Sequence, residues 1–356
     1  MSVAEGVLSP PVGRPLSATE RNWLLGLAIA VGLACLCWVV GSMESVERKA
    51  KLVWNASETS TRFLAIAHTV VATAFLLTSR RMRAPRGWLW LAGLTVAGVL
   101  ACLAFSALGG MRAPVAGLLF YGYFLAHEVR DELFFYRVNG DVPADSSEAA
   151  LRGLWTAPIV VVAAAASFVF AWTAFGFGGP HQIADALASV APAPRGAIGA
   201  AVLLAAVALL VVVARRLSRL DPGGLLGFLR RHRPLFSVFA WLYAVLLVGI
   251  FLTGRMYAIV AIHVAIWYVF TIRQLAVRGA PSPRPRPLSW TWVRSTVAGF
   301  NAFHLGVLAL VVAAAAVRAY AYKNGTEPQA LAVLVSKESF PYWTLLHVTW
   351  SWVPRG

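Results

Sequence analysis

Five histidines lie where polar side chains are rare. His68, His127, His263 and His304 each fall within a different long apolar stretch, and His347 lies in an aromatic segment near the end of the chain. An ionisable group at membrane depth is costly, so it usually faces a bundle interior or a cavity and marks a functional site. Imidazole is a common ligand of iron and other transition metals. We therefore predict that these five histidines are metal ligands.

Carboxylates accompany His127 in the stretch FYGYFLAHEVRDELFFYR. His127 and Asp131 are four residues apart, as are Glu128 and Glu132, so each pair shares one face of a helix. Acidic side chains near a helix C-terminus oppose the helix dipole, and beside a membrane they must also lose water, so stability alone does not account for them. We predict that Asp131 or Glu128 is a further metal ligand or orients His127. The alternative is an interfacial cluster paired with neighbouring arginines.

Asn301 precedes His304 by three residues and shares its helix face. We therefore expect Asn301 to hydrogen-bond a substrate or to set the tautomer of a histidine. Two further histidines, His181 and His232, fall in loops and are interpreted as solvated side chains.

Several familiar signatures are missing from the sequence. It contains no Walker A loop, no G-x-S-x-G elbow, no C-x-x-C-H haem attachment and no H-E-x-x-H zinc motif. The dense histidine boxes of membrane fatty-acid desaturases are also missing. The pattern of single histidines spread over several apolar stretches resembles that of membrane iron oxygenases such as the carotene-cleaving type. This resemblance lies in the residue pattern only, and it implies non-haem iron and an apolar substrate.

The elements that must position these side chains are membrane-spanning helices. Hydrophobic residues make up 59% of the 356 residues and charged residues 13%, whereas soluble domains carry about 25% charged residues. A span needs about 20 mostly apolar residues. The stretches that qualify are 22–42, 61–79, 87–109, 114–137, 154–177, 196–217, 234–254, 256–276 and 296–319. We predict an all-α, polytopic integral membrane helical bundle of about nine transmembrane helices.

Arginines indicate how this bundle is oriented. They concentrate in loops 80–86, 215–233 and 277–295, whereas the alternate loops, near 110–113, 178–195 and 255, carry a single arginine each. Because positive loops stay in the cytoplasm, we predict a multi-pass protein of the cell inner membrane with a cytoplasmic N-terminal tail at 1–21. The same loops account for the net charge of +16. We expect no nucleic acid as partner, since no basic surface domain exists to bind it.

The transmembrane domain is predicted to cover 22–319, which leaves a C-terminal tail at 320–356. A tenth span within 328–352 would bury Lys337 and Glu338, and each central charge costs about 2.5–3.5 kcal/mol on insertion scales. We therefore expect this part of the tail to be an aromatic segment lying on the outer membrane interface.

Three functions agree with these patterns. The first is a membrane-embedded metal oxidoreductase, an oxygenase or desaturase, in which non-haem iron acts on a lipid or isoprenoid. Its substrate would enter from the lipid bilayer. An electron-donor protein would be a further partner. The second is an electron-transfer protein in which pairs of histidines hold haem b. The third is a proton- or ion-coupled transporter whose histidines and acids form a relay.

Overall fold

The computed structural model describes residues 47–110, 113–138, 142–143, 145–177, 181–240, 257–278, 283–326 and 328–353. The predicted span at 22–42 and most of the one at 234–254 lie outside the described residues. The described residues contain helices and no strand. The helices are α1 Glu47–Leu77, α2 Pro85–Ala107, α3 Pro114–Val138, α4 Glu148–Ala174, α5 His181–Ala188, α6 Pro192–Ser218, α7 Gly224–Arg231, α8 Tyr257–Arg278, α9 Trp290–Ser295, α10 Val297–Lys323, α11 Gln329–Val335 and α12 Phe340–Ser351.

The prediction of an all-helical chain is therefore confirmed for the described residues. Within the part of the chain that the structure describes, five helical segments are long and apolar enough to cross a membrane: Thr59–Leu77 of α1, and all of α2, α4, α6 and α10. Two other predicted spans, 114–137 and 256–276, appear as α3 and α8 with nearly the predicted bounds. Helix α1 begins at Glu47, well before the predicted span at 61–79. The count of about nine spans stays a prediction.

The chain forms two compact units. The first unit contains Tyr121–Ile259, and the second unit combines Arg48–Phe120 with Val260–Gly356.

Helices α4 and α6 of the first unit form a close antiparallel pair. A Cβ atom on Gly199, near the start of α6, would lie 2.9 Å from the Cβ of Ala174 at the end of α4. At the other end, a Cβ on Gly153 would lie 2.9 Å from Leu217 Cδ2. Small residues at such points let membrane helices approach closely, which strengthens their packing in the absence of a hydrophobic driving force.

Ion pairs join the two polar segments at one end of the first unit. Arg231 forms an ion pair with Asp145, and its other guanidinium nitrogen lies 3.6 Å from Asp221 Oδ2. Asp145, Asp221 and Arg231 therefore lie at the same end of this unit.

A comparable link joins two Arg-rich segments of the second unit. The Arg294 guanidinium donates to the backbone oxygen of Thr78 over 2.5 Å and lies over the Phe75 ring. The end of α1 and the end of α9 are therefore close to each other in this unit. Thr296 then separates α9 from α10: its extended backbone ends the first helix, and its hydroxyl accepts a hydrogen bond from Gly299 N to cap the second.

The C-terminal tail folds as two short helices. Lys337 and Glu338 lie between α11 and α12 and are about two-thirds exposed, so neither charge is buried. With 12 residues, α12 is about 18 Å long, which is shorter than the roughly 30 Å hydrocarbon core of a bilayer. It packs against α2, where Trp350 Nε1 donates to Thr95 Oγ1 over 3.0 Å.

Candidate metal centre

Three histidines from distant parts of the chain meet in the second unit. His68 of α1, His263 of α8 and His347 of α12 each offer one ring nitrogen, and these nitrogens all lie within 4.8 Å of one another. The Nε2 atoms of His68 and His347 are 3.2 Å apart. We call His68, His263 and His347 the histidine trio; it contains three of the five predicted metal ligands.

Each of the three helices brings its histidine inward on an apolar face. On α1, His68 stands with Ala65 and Val71, which are also buried, and it is itself 3% exposed. On α8, His263 is as deeply buried, directly before buried Val264. Histidine is a poor choice for such positions unless its ring nitrogens have a role, because an imidazole loses its hydrogen bonds to water there.

Docking of α12 on α2 positions the third histidine. A Cβ on Gly98 of α2 would lie 3.0 Å from Leu346 Cδ2 and 3.5 Å from Thr349 Cβ, so the absence of a side chain at Gly98 lets α12 approach. Cys102 on the next turn of α2 contacts the backbone oxygen of Tyr342 through its sulfur. The packed side of α12 contributes His347 to the trio.

The separations within the trio fit the needs of a bound metal ion. Metal–imidazole bonds of 2.0–2.1 Å place two neighbouring ligand nitrogens about 3.0 Å apart at a right angle and about 3.4 Å apart at a tetrahedral angle. The 3.2 Å between His68 and His347 lies between these values. A hydrogen bond between one protonated and one unprotonated ring nitrogen would also suit this distance. Side-chain rotation within the 4.8 Å limit would bring His263 to the same ion.

Aromatic rings enclose the trio. Trp267 stands edge-on to His68 with 4.4 Å between ring centroids, and the His263 and His347 rings also meet the His68 ring at steep angles. Trp267 follows His263 by one helical turn, so the two share a face of α8. Three neutral imidazoles in such an enclosure can hold a cation, and three ligands leave coordination positions open for a substrate or a small molecule.

His304 lies beside this enclosure, but its ring nitrogens do not lie within 4.8 Å of all three ligand atoms of the trio. Its ring stacks on Phe300 with 5.9 Å between centroids and lies 5.0 Å from the Tyr268 ring and 6.3 Å from the Trp267 ring. His304 Nε2 is buried and forms no hydrogen bond with a described residue. The prediction that His304 is a ligand stays a prediction.

Asn301 uses its side-chain oxygen in a neighbouring contact. The Tyr268 hydroxyl donates to Asn301 Oδ1 over 2.7 Å, which links α8 to α10. The prediction that Asn301 and His304 lie on one helix is confirmed. Nothing in the sequence indicates that Tyr268 is the hydrogen-bond partner of Asn301. A catalytic role for Asn301 stays a prediction.

His127 and its carboxylates belong to the first unit. His127 and Glu128 are 1% and 3% exposed, and Asp131 and Glu132 are 7% and 6% exposed. His127 Nε2 lies 3.7 Å from Asp131 Oδ2, as their four-residue spacing predicts. That these side chains join the other histidines at one metal stays a prediction. The alternative, in which these acids pair with neighbouring arginines, likewise stays a prediction.

The prediction that His232 is a solvated loop residue is wrong. Its side chain is 1% exposed, its ring lies 4.7 Å from the Phe228 ring, and its Nδ1 is 3.1 Å from the hydroxyl of Tyr136. Burial lowers the pKa of His232 below its ordinary value, and the nearby charge of Arg231 acts in the same direction, with Asp221 opposing both. The side chain of His181 lies outside the described residues.

Comparisons with protein-family models, with curated proteins and with solved structures find no match to this chain.

Proposed function

We propose that this protein is a membrane-embedded oxidoreductase that uses a histidine-bound metal ion, non-haem iron, on a lipid or isoprenoid substrate. In this proposal it is a multi-pass protein of the cell inner membrane with about nine transmembrane helices and a cytoplasmic N-terminal tail. The observation that carries the proposal is the histidine trio, in which three ring nitrogens from three separate helices lie within 4.8 Å of one another.

The ligand set supports a redox-active metal. Imidazole ligands suit iron, zinc and copper alike, and sites that leave positions open are typical of non-haem Fe(II) oxygenases. Iron bound here would supply one-electron and oxygen chemistry that no side chain of the chain can supply. The roles left to the protein are to hold the ion with His68, His263 and His347 and to limit water with Trp267.

The surroundings of the trio support an apolar substrate. The outer faces of α2 and α10 expose large aliphatic side chains, including Leu103 at 62% and Leu310 at 71%. In a bilayer these faces contact lipid tails, so a lipid-like molecule can approach the second unit sideways without entering water. The aromatic lining around His304 and Trp267 suits an apolar chain better than a charged metabolite.

The haem alternative fits the trio less well. Two axial imidazoles on opposite sides of one haem iron place their nitrogens about 4 Å apart with the porphyrin between the rings, given metal–nitrogen bonds of about 2 Å. The Nε2 atoms of His68 and His347 are 3.2 Å apart and their ring centroids 4.9 Å apart. This separation favours two ligands side by side on one ion over a haem between them.

One observation favours the transporter as a second candidate. Glu128 and Glu132 are buried in α3, and a buried carboxylate in a membrane helix is typical of proton or ion pathways. The transporter does not require the histidine trio to bind metal, so the same experiment separates the two functions.

The test is elemental analysis of the detergent-purified protein prepared without chelator, with an absorption spectrum of the same sample. We expect near-stoichiometric iron and no Soret band in the wild type, loss of iron in His263→Ala, and full iron in Leu310→Ala, which changes only an exposed side chain. The variant His304→Ala decides whether that residue is a fourth ligand. A Soret band would establish the haem alternative, and a wild-type protein free of metal would favour the transporter.

A further inference from the structure

The Arg-rich segment 215–233 of the first unit carries a concentration of positive charge that the proposed function does not use. A guanidinium group cannot be deprotonated in proteins, so each arginine here is charged. Five of these arginines are exposed, and their side chains form no ion pair or hydrogen bond with any residue that the structure describes: Arg215, Arg216, Arg219, Arg230 and Arg233. We call these five side chains the arginine surface.

The packing of three helices gathers the arginine surface in one region. A Cβ on Gly153, near the start of α4, would lie 2.9 Å from Leu217 Cδ2 and 3.8 Å from Phe228 Cζ. Leu217 belongs to the last turn of α6 and Phe228 to the middle of α7, so both helices meet at the start of α4. The arginines come from the ends of α6 and α7 and from the residues directly after each helix, so they lie together at this place.

The nearby acids do not pair with the arginine surface. Asp145 and Asp221 both form ion pairs with Arg231, which is not part of the surface. Asp221 Oδ1 also accepts a hydrogen bond from Gly223 N over 2.8 Å, which fixes the turn before α7. Glu148, at the start of α4, forms no ion pair with a described residue. Among the described acids, therefore, none is a direct counter-ion of the five arginines.

Helix α6 carries apolar side chains next to these arginines. With 27 residues it is about 40 Å long, which exceeds the roughly 30 Å hydrocarbon core of a bilayer. Val211 precedes Arg215 by four residues, so the two share a helix face. The same holds for Val212 and Arg216, and the valines are 43% and 48% exposed. With α6 spanning a bilayer, the valines contact acyl chains and the arginines lie at the depth of the lipid phosphates.

Helix α7 has the character of a helix that lies on a membrane surface. Its sequence, GLLGFLRR, buries Phe228 at 1% exposure and leaves Leu226 65% exposed. Arg230 follows Leu226 by four residues and shares its face. Amphipathic helices of this kind bind the membrane interface through apolar side chains and through attraction to anionic lipids. An exposed leucine beside an arginine therefore favours a lipid over a soluble anion as the partner of this surface.

We propose that the arginine surface binds an anionic phospholipid, with the lipid phosphate at the arginines and the acyl chains along Val211 and Val212. A guanidinium group binds phosphate oxygens through two parallel N–H donors. A zwitterionic phospholipid has the same phosphate and chains, but the positive charge of its headgroup opposes the arginines, so the surface selects anionic headgroups. This inference uses the assignment of α6 as a membrane span and does not depend on the metal centre.

The experiment is a native mass-spectrometry titration of the detergent-purified, full-length protein with phosphatidylglycerol and, separately, with phosphatidylcholine of the same acyl chains. We expect the wild type to bind the first phosphatidylglycerol about 100-fold more tightly, since three arginines near anionic lipid contribute about a factor of five each. The preference should fall as the ammonium acetate concentration rises, because ions screen exposed charges. Arg215→Gln/Arg216→Gln/Arg219→Gln should lose most of the preference, with its affinity for phosphatidylcholine unchanged.

The matched control is Arg80→Gln/Arg83→Gln/Arg86→Gln, which removes three exposed arginines from an Arg-rich segment of the second unit. This variant should keep the wild-type preference. The proposal is overturned if the wild type binds both lipids equally, or if the α6 variant, folded as the wild type is, keeps the full preference. An equal loss in the control would show a general effect of charge and would also overturn it. So would displacement of phosphatidylglycerol by inorganic phosphate alone, since the ligand would then be a free anion.

Discussion

The histidine trio and the buried acids of α3, Glu128, Asp131 and Glu132, place polar side chains in opposite ways. The trio draws one residue from each of three helices, and His68 and His347 are 279 positions apart in the sequence. The three acids of α3 lie within residues 128–132 of one helix. Helical periodicity alone sets the second arrangement, whereas the first depends on the packing of whole helices. Changes to helix packing should therefore disrupt the trio, and changes to the acids of α3 should have local effects.

The largest effect is expected from Gly98→Leu. A side chain at this position would meet Leu346 and Thr349 of α12, so the helix must move away from α2 and carry His347 with it. Loss of one of three ligands should weaken metal binding about 100-fold, the upper end for changes around a metal site. Metal titration of the purified protein measures this.

Gly93→Leu is the matched control for that variant. Gly93 lies on the same helix and is exposed, and a Cβ there would have no atom within 4 Å. Its metal affinity should equal that of the wild type. Equal affinities in Gly98→Leu and Gly93→Leu would mean that α12 does not position the third ligand.

A smaller effect is expected where α9 meets α10. A Cβ on Gly299 would lie 2.6 Å from the carbonyl carbon of Trp292, and backbone cannot move aside as a flexible side chain can. Gly299→Ala should lower the free energy of unfolding by about 2 kcal/mol. Gly306→Ala on the same helix meets nothing within 4 Å and should be neutral or stabilising by up to about 1 kcal/mol. Thermal unfolding in detergent compares the two, and a Gly299→Ala protein as stable as Gly306→Ala would show that this close approach is not needed.

The link between α8 and α10 predicts an effect of about 1 kcal/mol. Tyr268→Phe removes the hydrogen bond to Asn301 Oδ1 and leaves the ring beside His304 in place. The net contribution of such a bond is about 1 kcal/mol, so unfolding should become easier by that amount with metal binding retained. A loss of metal in Tyr268→Phe would instead place this hydroxyl in the metal site.

The smallest effect concerns the first unit and depends on pH. The pKa of His232 in the folded protein is lowered below its ordinary value of 6.5, so folding favours the neutral ring. The stability that this ring contributes is complete above that ordinary value and is lost as the pH falls towards the lowered folded pKa. Unfolding temperatures measured across this range should therefore decline more steeply in the wild type than in His232→Gln. Parallel curves would contradict the assignment.

Local features of the sequence predicted much of the fold. Helix α3 appears within one residue of its predicted bounds, because Pro114 starts it and a polar segment follows it. The contact between His127 and Asp131 follows directly from helical spacing.

Tertiary packing accounts for what could not be predicted. The sequence identified five candidate histidines, yet which of them meet depends on how α1, α8 and α12 pack, and periodicity carries no information on that. The RRHRP surroundings of His232 predict a solvated side chain because they are strongly polar, while its hydrogen-bond partner Tyr136 lies 96 positions away. Nothing in the sequence around Gly98 indicates that this position must lack a side chain. Its role becomes visible only in the contact between α2 and α12.

The central claim is that His68, His263 and His347 hold one metal ion together, and X-ray absorption spectroscopy of the purified, metal-bound protein tests it most directly. We predict a first shell that includes three imidazole nitrogens at about 2.1 Å, with multiple-scattering features from the rings. In His347→Ala the imidazole contribution should fall to two. A first shell without imidazole scattering, or an unchanged spectrum in His347→Ala, would contradict the account.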